Sequence, residues 1–150
     1  MESQIIDTLK KAGWYPNRSI KIDSDIEILE KRGYIISSSF IRFYKEFGNL
    51  YLDIVVNENK RKINFDIKEA IRYDYDDVII EDYPKLIGCQ SIIPIGNIDG
   101  SSYLAIDELD NVYAFSDGNV MKIGIGREAV NYLLIKPWRE FEELPIPNWW

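Results

Sequence analysis

The feature that most constrains this fold is a change in the spacing of apolar residues near residue 48. Before it, Phe40, Phe43, Tyr44 and Phe47 recur at intervals of three and four, which places them on one face of a helix. After it, alternate residues from Leu50 to Val56 are apolar, which is the period of a half-buried strand. The chain must therefore pack helices against a sheet.

Capping residues predict where the early helices begin and end. The serines at 37–39 supply an N-cap, and Gly48 lies where a helix commonly ends in a left-handed residue. Ser24 and Glu27 fit a capping box, which predicts a preceding helix that ends at Gly33.

The rest of the chain predicts strands between helices. A first helix is expected over residues 3–12, and Asn57–Lys60 should form a hairpin turn before a strand with Ile63, Phe65 and Ile67 on one face. A helix is expected around Tyr75–Leu86 within an irregular stretch at 68–90. Further strands are predicted at 91–95, 102–106, 111–115 and 120–123, and a closing helix at 126–135. We therefore expect one α+β domain over residues 1–150, with an antiparallel β-sheet meander, N-terminal helices and a closing C-terminal helix.

Composition excludes several functional classes. The chain has no histidine, which removes the commonest general base and metal ligand. The one cysteine, Cys89, cannot form an intramolecular disulfide and is expected to be buried as a small apolar residue. No apolar run approaches the ~20 residues of a membrane span, and the first residues, Met-Glu-Ser-Gln, do not have the basic and apolar stretches typical of a signal peptide. We expect a cytoplasmic protein that is not an enzyme, with no cofactor, no metal and no membrane partner.

Negative charge is concentrated in the middle of the sequence. Residues 1–72 carry 13 Lys/Arg and 11 Asp/Glu, whereas residues 73–117 carry Lys85 and ten acidic residues. Residues 118–150 carry four of each sign, so the middle segment supplies the net charge of −7. An acidic surface of this kind repels nucleic acid and attracts basic proteins.

Three short motifs carry a resemblance to a known family. Gly13 and Trp14 are followed by Arg18, and the aromatic helix ends in Phe47-Gly-Asn-Leu50. A later strand–turn–strand contains three further segments: Ile93-Pro-Ile-Gly96, Leu104-Ala-Ile-Asp107 and Asn111-Val-Tyr113. In order and spacing these motifs resemble the third subgroup of the SUKH superfamily, which contains bacterial immunity proteins, from about residue 4 to residue 135.

The resemblance implies an antitoxin that binds and occludes the toxin domain of a cognate polymorphic toxin. The implied toxin is a basic nuclease, since an acidic face would cover its substrate groove. An alternative within the same superfamily is a regulatory docking module without a toxin partner. Arg18 is expected to be structural in this family, through a buried carboxylate or backbone carbonyl groups, and Trp14 is expected to anchor the core.

The acidic segment, residues 74–83, is the predicted partner-binding site. Tyrosine supplies rigid contact area there, and the carboxylates supply steering and pairing. The residues expected to contact a partner are Asp74, Tyr75, Asp76, Asp77, Glu81, Asp82 and Tyr83. The segment taken alone is equally compatible with a solvated loop.

Two chemical alternatives start from carboxylates. Asp74, Asp76 and Glu81, or the turn Asp107–Asn111, could hold a metal, but neither has the glycine of a calcium loop. Asp107 and Glu108 could act as an acid–base pair, although any acidic protein offers such pairs. The terminal Trp149 and Trp150 either fold back over the sheet, which is the preferred interpretation, or lie exposed for a partner.

Overall fold

The computed structural model describes residues 3–72, 75–116 and 119–146. Three helices come first and a sheet follows, as the change in apolar spacing predicts. The helices are α1 (Ser3–Lys11), α2 (Asp23–Lys31), α3 (Ser38–Phe47), α4 (Ile67–Ala70), α5 (Tyr83–Ile87) and α6 (Arg127–Ile135). A π-helical turn (Val78–Asp82) precedes α5, and a 3₁₀ turn (Trp138–Glu140) follows α6.

Seven strands form one antiparallel sheet in which every strand pairs with its neighbours in sequence. They are β1 (Tyr51–Val56), β2 (Asn59–Asn64), β3 (Ile92–Ile98), β4 (Ser102–Asp107), β5 (Asn111–Ser116), β6 (Asn119–Ile125) and β7 (Glu142–Glu143). Every residue of β3 is buried, with α3, α4 and the π-helical turn against it. Helix α6 contacts both β6 and β1, so the sheet curves around it. The predicted α+β meander is confirmed.

The predicted start of α3 is confirmed, but the prediction that α3 ends in a left-handed Gly48 is wrong. Ser37 caps α3 by accepting a hydrogen bond from the backbone N–H of Phe40. Gly48 has a φ of −56°, and the left-handed residue is Asn49, with a φ of 64°. Gly48 is glycine for a steric reason, because a Cβ there would lie 2.4 Å from the carbonyl oxygen of Tyr44.

The predicted capping box of α2 is also wrong. Ile22 occupies the N-cap without a side-chain hydrogen bond, and Ser24 lies within the first turn. The helix forms nevertheless, since Ile22 and Leu29 are buried in the core. Packing of an apolar face outweighs a missing cap.

The hairpin between β1 and β2 has a tighter turn than predicted. Asn57 and Glu58 alone occupy it, both with positive φ, as a type I′ turn requires. Strand β2 ends at Asn64, and Ile67 begins α4 instead of extending the strand. Asp66 causes the change by capping α4 through the backbone N–H of Lys68.

The structural roles expected of Trp14 and Arg18 are confirmed. Trp14 is buried, and its indole N–H donates to the Glu46 carboxylate. The Arg18 guanidinium donates to the carbonyl oxygens of Glu46, at 2.6 Å, and Gly48, at 2.9 Å. Arginine therefore satisfies orphan carbonyls at the end of α3, where positive charge is favoured. Trp149 and Trp150 lie outside the described residues, and no described helix is long and apolar enough to cross a membrane.

A buried arginine that the sequence did not reveal fixes the other end of the fold. Arg61 on β2 donates to the carbonyl oxygens of Leu133, at 2.5 Å, and Lys136, at 2.8 Å. Its guanidinium also lies 4.0 Å from the centre of the Trp138 ring. These contacts hold the C-terminal end of α6 against the sheet.

Candidate partner-binding surface

The described part of the acidic segment, residues 75–83, enters a helix that changes its hydrogen-bonding pattern midway. Helix begins at Asp76, becomes π-helical at Val78–Asp82 and continues as α5. Pro84 explains the change, because it lacks an N–H and its ring clashes with the carbonyl group four residues earlier. The predicted helix around Tyr75–Leu86 is thus confirmed, whereas Asp74 lies outside the described residues.

Asp76 points into the protein. Its carboxylate lies 2.6 Å from Nε of Arg32 and accepts a hydrogen bond at 2.7 Å from the Tyr34 hydroxyl. The Asp76 side chain is 14% exposed and Tyr34 is 4% exposed. Burial, reinforced by the hydrogen bond to Asp76, raises the pKa of Tyr34, so its hydroxyl remains a donor at neutral pH. Asp76 therefore fixes the segment to the residues that follow α2.

Apolar and aromatic contacts fix the same segment on its inner side. Ile79 is buried in the core. Tyr83 stacks on Phe115 of β5, with ring centres 4.0 Å apart and planes 3° apart. Tyr75 and Tyr103 make an edge-to-face contact, with ring centres 5.8 Å apart, but Tyr75 remains half exposed. Of the two predicted tyrosines that the structure describes, Tyr75 is thus the more accessible.

Three acidic residues of the segment remain accessible to a partner protein. Asp77 and Glu81 are exposed and Asp82 is half buried, and none of the three has an ion-pair partner among the described residues. Asp77 and Glu81 are four residues apart, which places them on neighbouring turns of one helical face. Lys85 follows at the same spacing and offsets part of their charge. The surface formed by Tyr75, Asp77, Glu81 and Asp82 is termed the acidic face below.

The other acidic residues described in the middle of the sequence bond to groups of the protein itself, although Asp99 remains exposed. Asp99 accepts a hydrogen bond from the backbone N–H of Lys62, and Asp110 pairs with Arg42 at 3.1 Å. Asp107 is 2% exposed and Glu108 binds backbone N–H groups. The negative charge counted in the sequence therefore overstates the charge available to a partner.

Asp107 and Glu108 organise the turn between β4 and β5. Asp107 accepts hydrogen bonds from the backbone of Leu109 and the side chain of Asn111, at 2.9 and 3.0 Å, and from the Tyr113 hydroxyl at 3.1 Å. Glu108 binds the backbone N–H groups of residues 90 and 91. Burial opposes ionisation of Glu108, but these donors lower its pKa. Both carboxylates serve the turn, so the geometry gives an acid–base pair no support.

Cys89, Asp107 and Glu108 form the one group of potential metal ligands found among the described residues. Burial, aided by Glu108 and Asp107, raises the pKa of the Cys89 thiol to about 12. A metal binds the thiolate, which this environment disfavours. The oxygen atoms of both carboxylates already accept hydrogen bonds from the protein. The donor set is thus arranged for a turn and not for a cation.

Arg32 and Tyr34 are the residues of this region that the sequence did not single out. Neither lies near Asp76 in sequence, and an arginine after a helix is an ordinary surface pattern. Gly33 between them is explained by its φ of 98° at the end of α2, and a Cβ there would make only an ordinary 3.4 Å contact with the side chain of Ile80. No signal in the sequence therefore pointed to the contacts of these two residues with Asp76.

The structure is an α+β domain with a seven-stranded antiparallel meander and an exposed acidic face. Its other polar clusters stabilise turns and helix ends. The family model of the SUKH-3 immunity protein matches residues 1–136, and the chain belongs to this family. Membership supports an immunity protein role with a toxin protein as partner, in a family that is generally non-enzymatic. Comparisons with curated proteins and with solved structures gave no match.

Proposed function

We propose that this protein is an antitoxin that binds the toxin domain of a cognate polymorphic toxin and occludes it. The observation that carries the proposal is family membership over residues 1–136, which includes the acidic segment. Immunity by occlusion needs a stable surface and no reacting group. The fixed helix at 76–87 and the absence of histidine from the sequence suit that requirement.

The proposed contact is the acidic face, with Tyr75 as its aromatic member. Asp77, Glu81 and Asp82 are held at fixed positions by the inward contacts of Asp76, Ile79 and Tyr83. Preorganised charges accelerate association and favour a partner of opposite sign. Asp76 and Tyr83 then act as supports for the surface, and the role of Asp74 stays a prediction.

The proposed toxin is a nuclease that carries a basic groove for its substrate. An acidic protein of net charge −7 would compete with nucleic acid for such a groove and would itself not bind nucleic acid. The proposed site of action is the cytoplasm, where the substrate of a nuclease lies.

Co-expression tests the proposal. The C-terminal domain of the large protein encoded beside this chain would be expressed in a bacterial host, alone and together with this protein. We expect the toxin domain alone to stop growth and this protein to restore it, with a complex that purifies intact. Unrestored growth and no complex would contradict the antitoxin function and favour a docking module. If this protein restores growth but the host that expresses the toxin domain alone shows no degraded nucleic acid, the antitoxin function stands and the toxin is not a nuclease.

A further inference from the structure

Strand β1 is an open edge of the sheet. The two-residue turn at 57–58 makes Val56 and Asn59 the last hydrogen-bonded pair of the hairpin, so Leu52 and Ile54 also bond to β2. Lys62, which lies opposite Asp53, supports this assignment. Its backbone N–H bonds to the Asp99 carboxylate and its carbonyl accepts the Asp99 N–H, both at 2.8 Å and both away from β1.

The backbone groups of Tyr51, Asp53 and Val55 therefore face outward. Within the described ranges no hydrogen bond reaches their N–H or carbonyl groups from that side. The opposite edge of the sheet is protected differently, since β7 has two residues and both are glutamate. Short, charged edge strands resist pairing with another chain, whereas a six-residue edge carrying exposed Tyr51 and Val55 invites it.

A groove lies beside this edge, and the side chains of an added strand could pack against its lining. It has a volume of about 450 Å³ and lies between β1, α1 and the end of α6. Its lining is mixed: Ile5, Leu134 and Ile135 are apolar, with Ile135 48% exposed, whereas Gln4, Thr8 and Lys11 are polar. A strand placed about 4.8 Å from β1 would direct alternate side chains toward this lining.

The charge of the edge restricts what can bind. Asp53 lies at its centre and is exposed, with Lys62 opposite it on β2, and it forms no ion pair among the described residues. A second copy of this chain, paired so that all three outward residues are used, would place Asp53 opposite Asp53. Like charges directly opposite each other destabilise a strand pair. A strand of another protein that has no acidic residue at this position avoids that conflict.

We propose that the β1 edge receives an extended strand of the toxin domain, with no acidic residue opposite Asp53 and with apolar residues over Ile5, Leu134 and Ile135. The inference rests on the proposed function and adds a second contact, independent of the acidic face. Backbone hydrogen bonds supply affinity in this mode, and the alternate side chains supply selectivity.

Amide hydrogen exchange, resolved by residue, tests strand addition. In the free protein the amides of Leu52, Ile54 and Val56 should exchange slowly and those of Tyr51, Asp53 and Val55 rapidly. Binding of the toxin domain should slow the second set by about tenfold or more, because each gains a hydrogen bond. Rapid exchange of the second set in a complex that does form would overturn strand addition and leave the antitoxin function standing.

A proline variant provides the matched test in binding. Val55→Pro removes an outward N–H and leaves the pairing with β2 intact, and proline is tolerated on an edge strand in this orientation. We expect it to weaken toxin binding about tenfold or more, whereas Val55→Ala, which keeps the N–H, should weaken it far less. Equal binding by both variants would overturn the proposal. Wild-type protein that fails to bind the toxin domain would overturn both proposals, and a free dimer with protected Asp53 and Val55 amides would assign the edge to a second copy.

Discussion

Arg32 and Asp76 lie 44 residues apart in sequence, and Nε of the first is 2.6 Å from Oδ2 of the second. This ion pair is largely shielded from solvent, with the two side chains 28% and 14% exposed. It joins the end of α2 to the start of the acidic segment. A largely shielded carboxylate of the segment thus holds it in place, while Asp77 and Glu81 face outward.

Replacement of Asp76 should lower stability, and replacement of its neighbour should not. Asp76→Ala removes the carboxylate that pairs with Arg32 and accepts the hydrogen bond of the buried Tyr34 hydroxyl, at a cost of about 2 kcal/mol in the free energy of unfolding. Asp77→Ala removes an exposed carboxylate and should change it by less than about 0.5 kcal/mol. Urea denaturation measures both. Equal effects would show that the ion pair does not fix the segment.

Even a conservative replacement of Arg61 should destabilise the protein. Arg61→Lys keeps the charge but loses the two separate nitrogens that bond to the carbonyl oxygens of Leu133 and Lys136, and the planar contact with Trp138. The expected loss is about 2 kcal/mol in the free energy of unfolding. Lys62→Arg, at an exposed neighbouring position, is the control and should be neutral. If Arg61→Lys leaves the free energy of unfolding unchanged, α6 is held by apolar packing alone.

Gly96 should be the least replaceable glycine of the sheet. It lies where β3 shifts register against β4, and a Cβ there would be 2.0 Å from the carbonyl oxygen of Asn64. Gly96→Ala must displace the backbone of β2, at about 3 kcal/mol. Gly100→Ala meets no neighbour within 4 Å and should cost about 1 kcal/mol for its φ of 72°. Thermal unfolding compares the two, and the reverse order would contradict the close approach of β2.

Asp25 should make stability fall as pH rises. Burial raises its pKa, opposed by Lys68 and assisted by Asp66, so the folded chain holds this proton more tightly than the unfolded chain does. Stability is then lost as pH rises above about 3.8, the ordinary value for this carboxyl. Asp25→Asn stays neutral and should be more stable than wild type at pH 7 but not at pH 3. Urea unfolding at both pH values checks this, and an equal gain at both would exclude ionisation as the cause.

The sequence predicts the architecture well because apolar periodicity determines it. The period of α3, the alternation of β1 and the core spacing of α6 each specify which face is buried, and the structure agrees. Local signals were less reliable. Ser24 and Glu27 fit a capping box that does not form, since burial of Ile22 and Leu29 sets the position of α2.

The site was harder to predict because the sequence shows which residues are charged but not whether their side chains point inward or outward. Asp76 and Asp77 are adjacent and chemically identical, yet Asp76 faces Arg32 and Asp77 faces solvent. Asp107 is buried for the sake of a turn. Distinguishing these roles requires the position of Arg32, Tyr34 and the β4–β5 turn, which are long-range contacts.

Calorimetric titration of the toxin domain into three proteins tests the central claim most directly. The three are wild type, the double variant Asp77→Lys with Glu81→Lys, and a control with the same charge change, Glu140→Lys with Glu142→Lys. Glu140 and Glu142 are also exposed but lie at the other end of the chain. The account predicts tight one-to-one binding by wild type and the control, and binding weakened at least about tenfold in the first variant. Undiminished binding by that variant would contradict the acidic face as the contact, and no binding by wild type would contradict the antitoxin function.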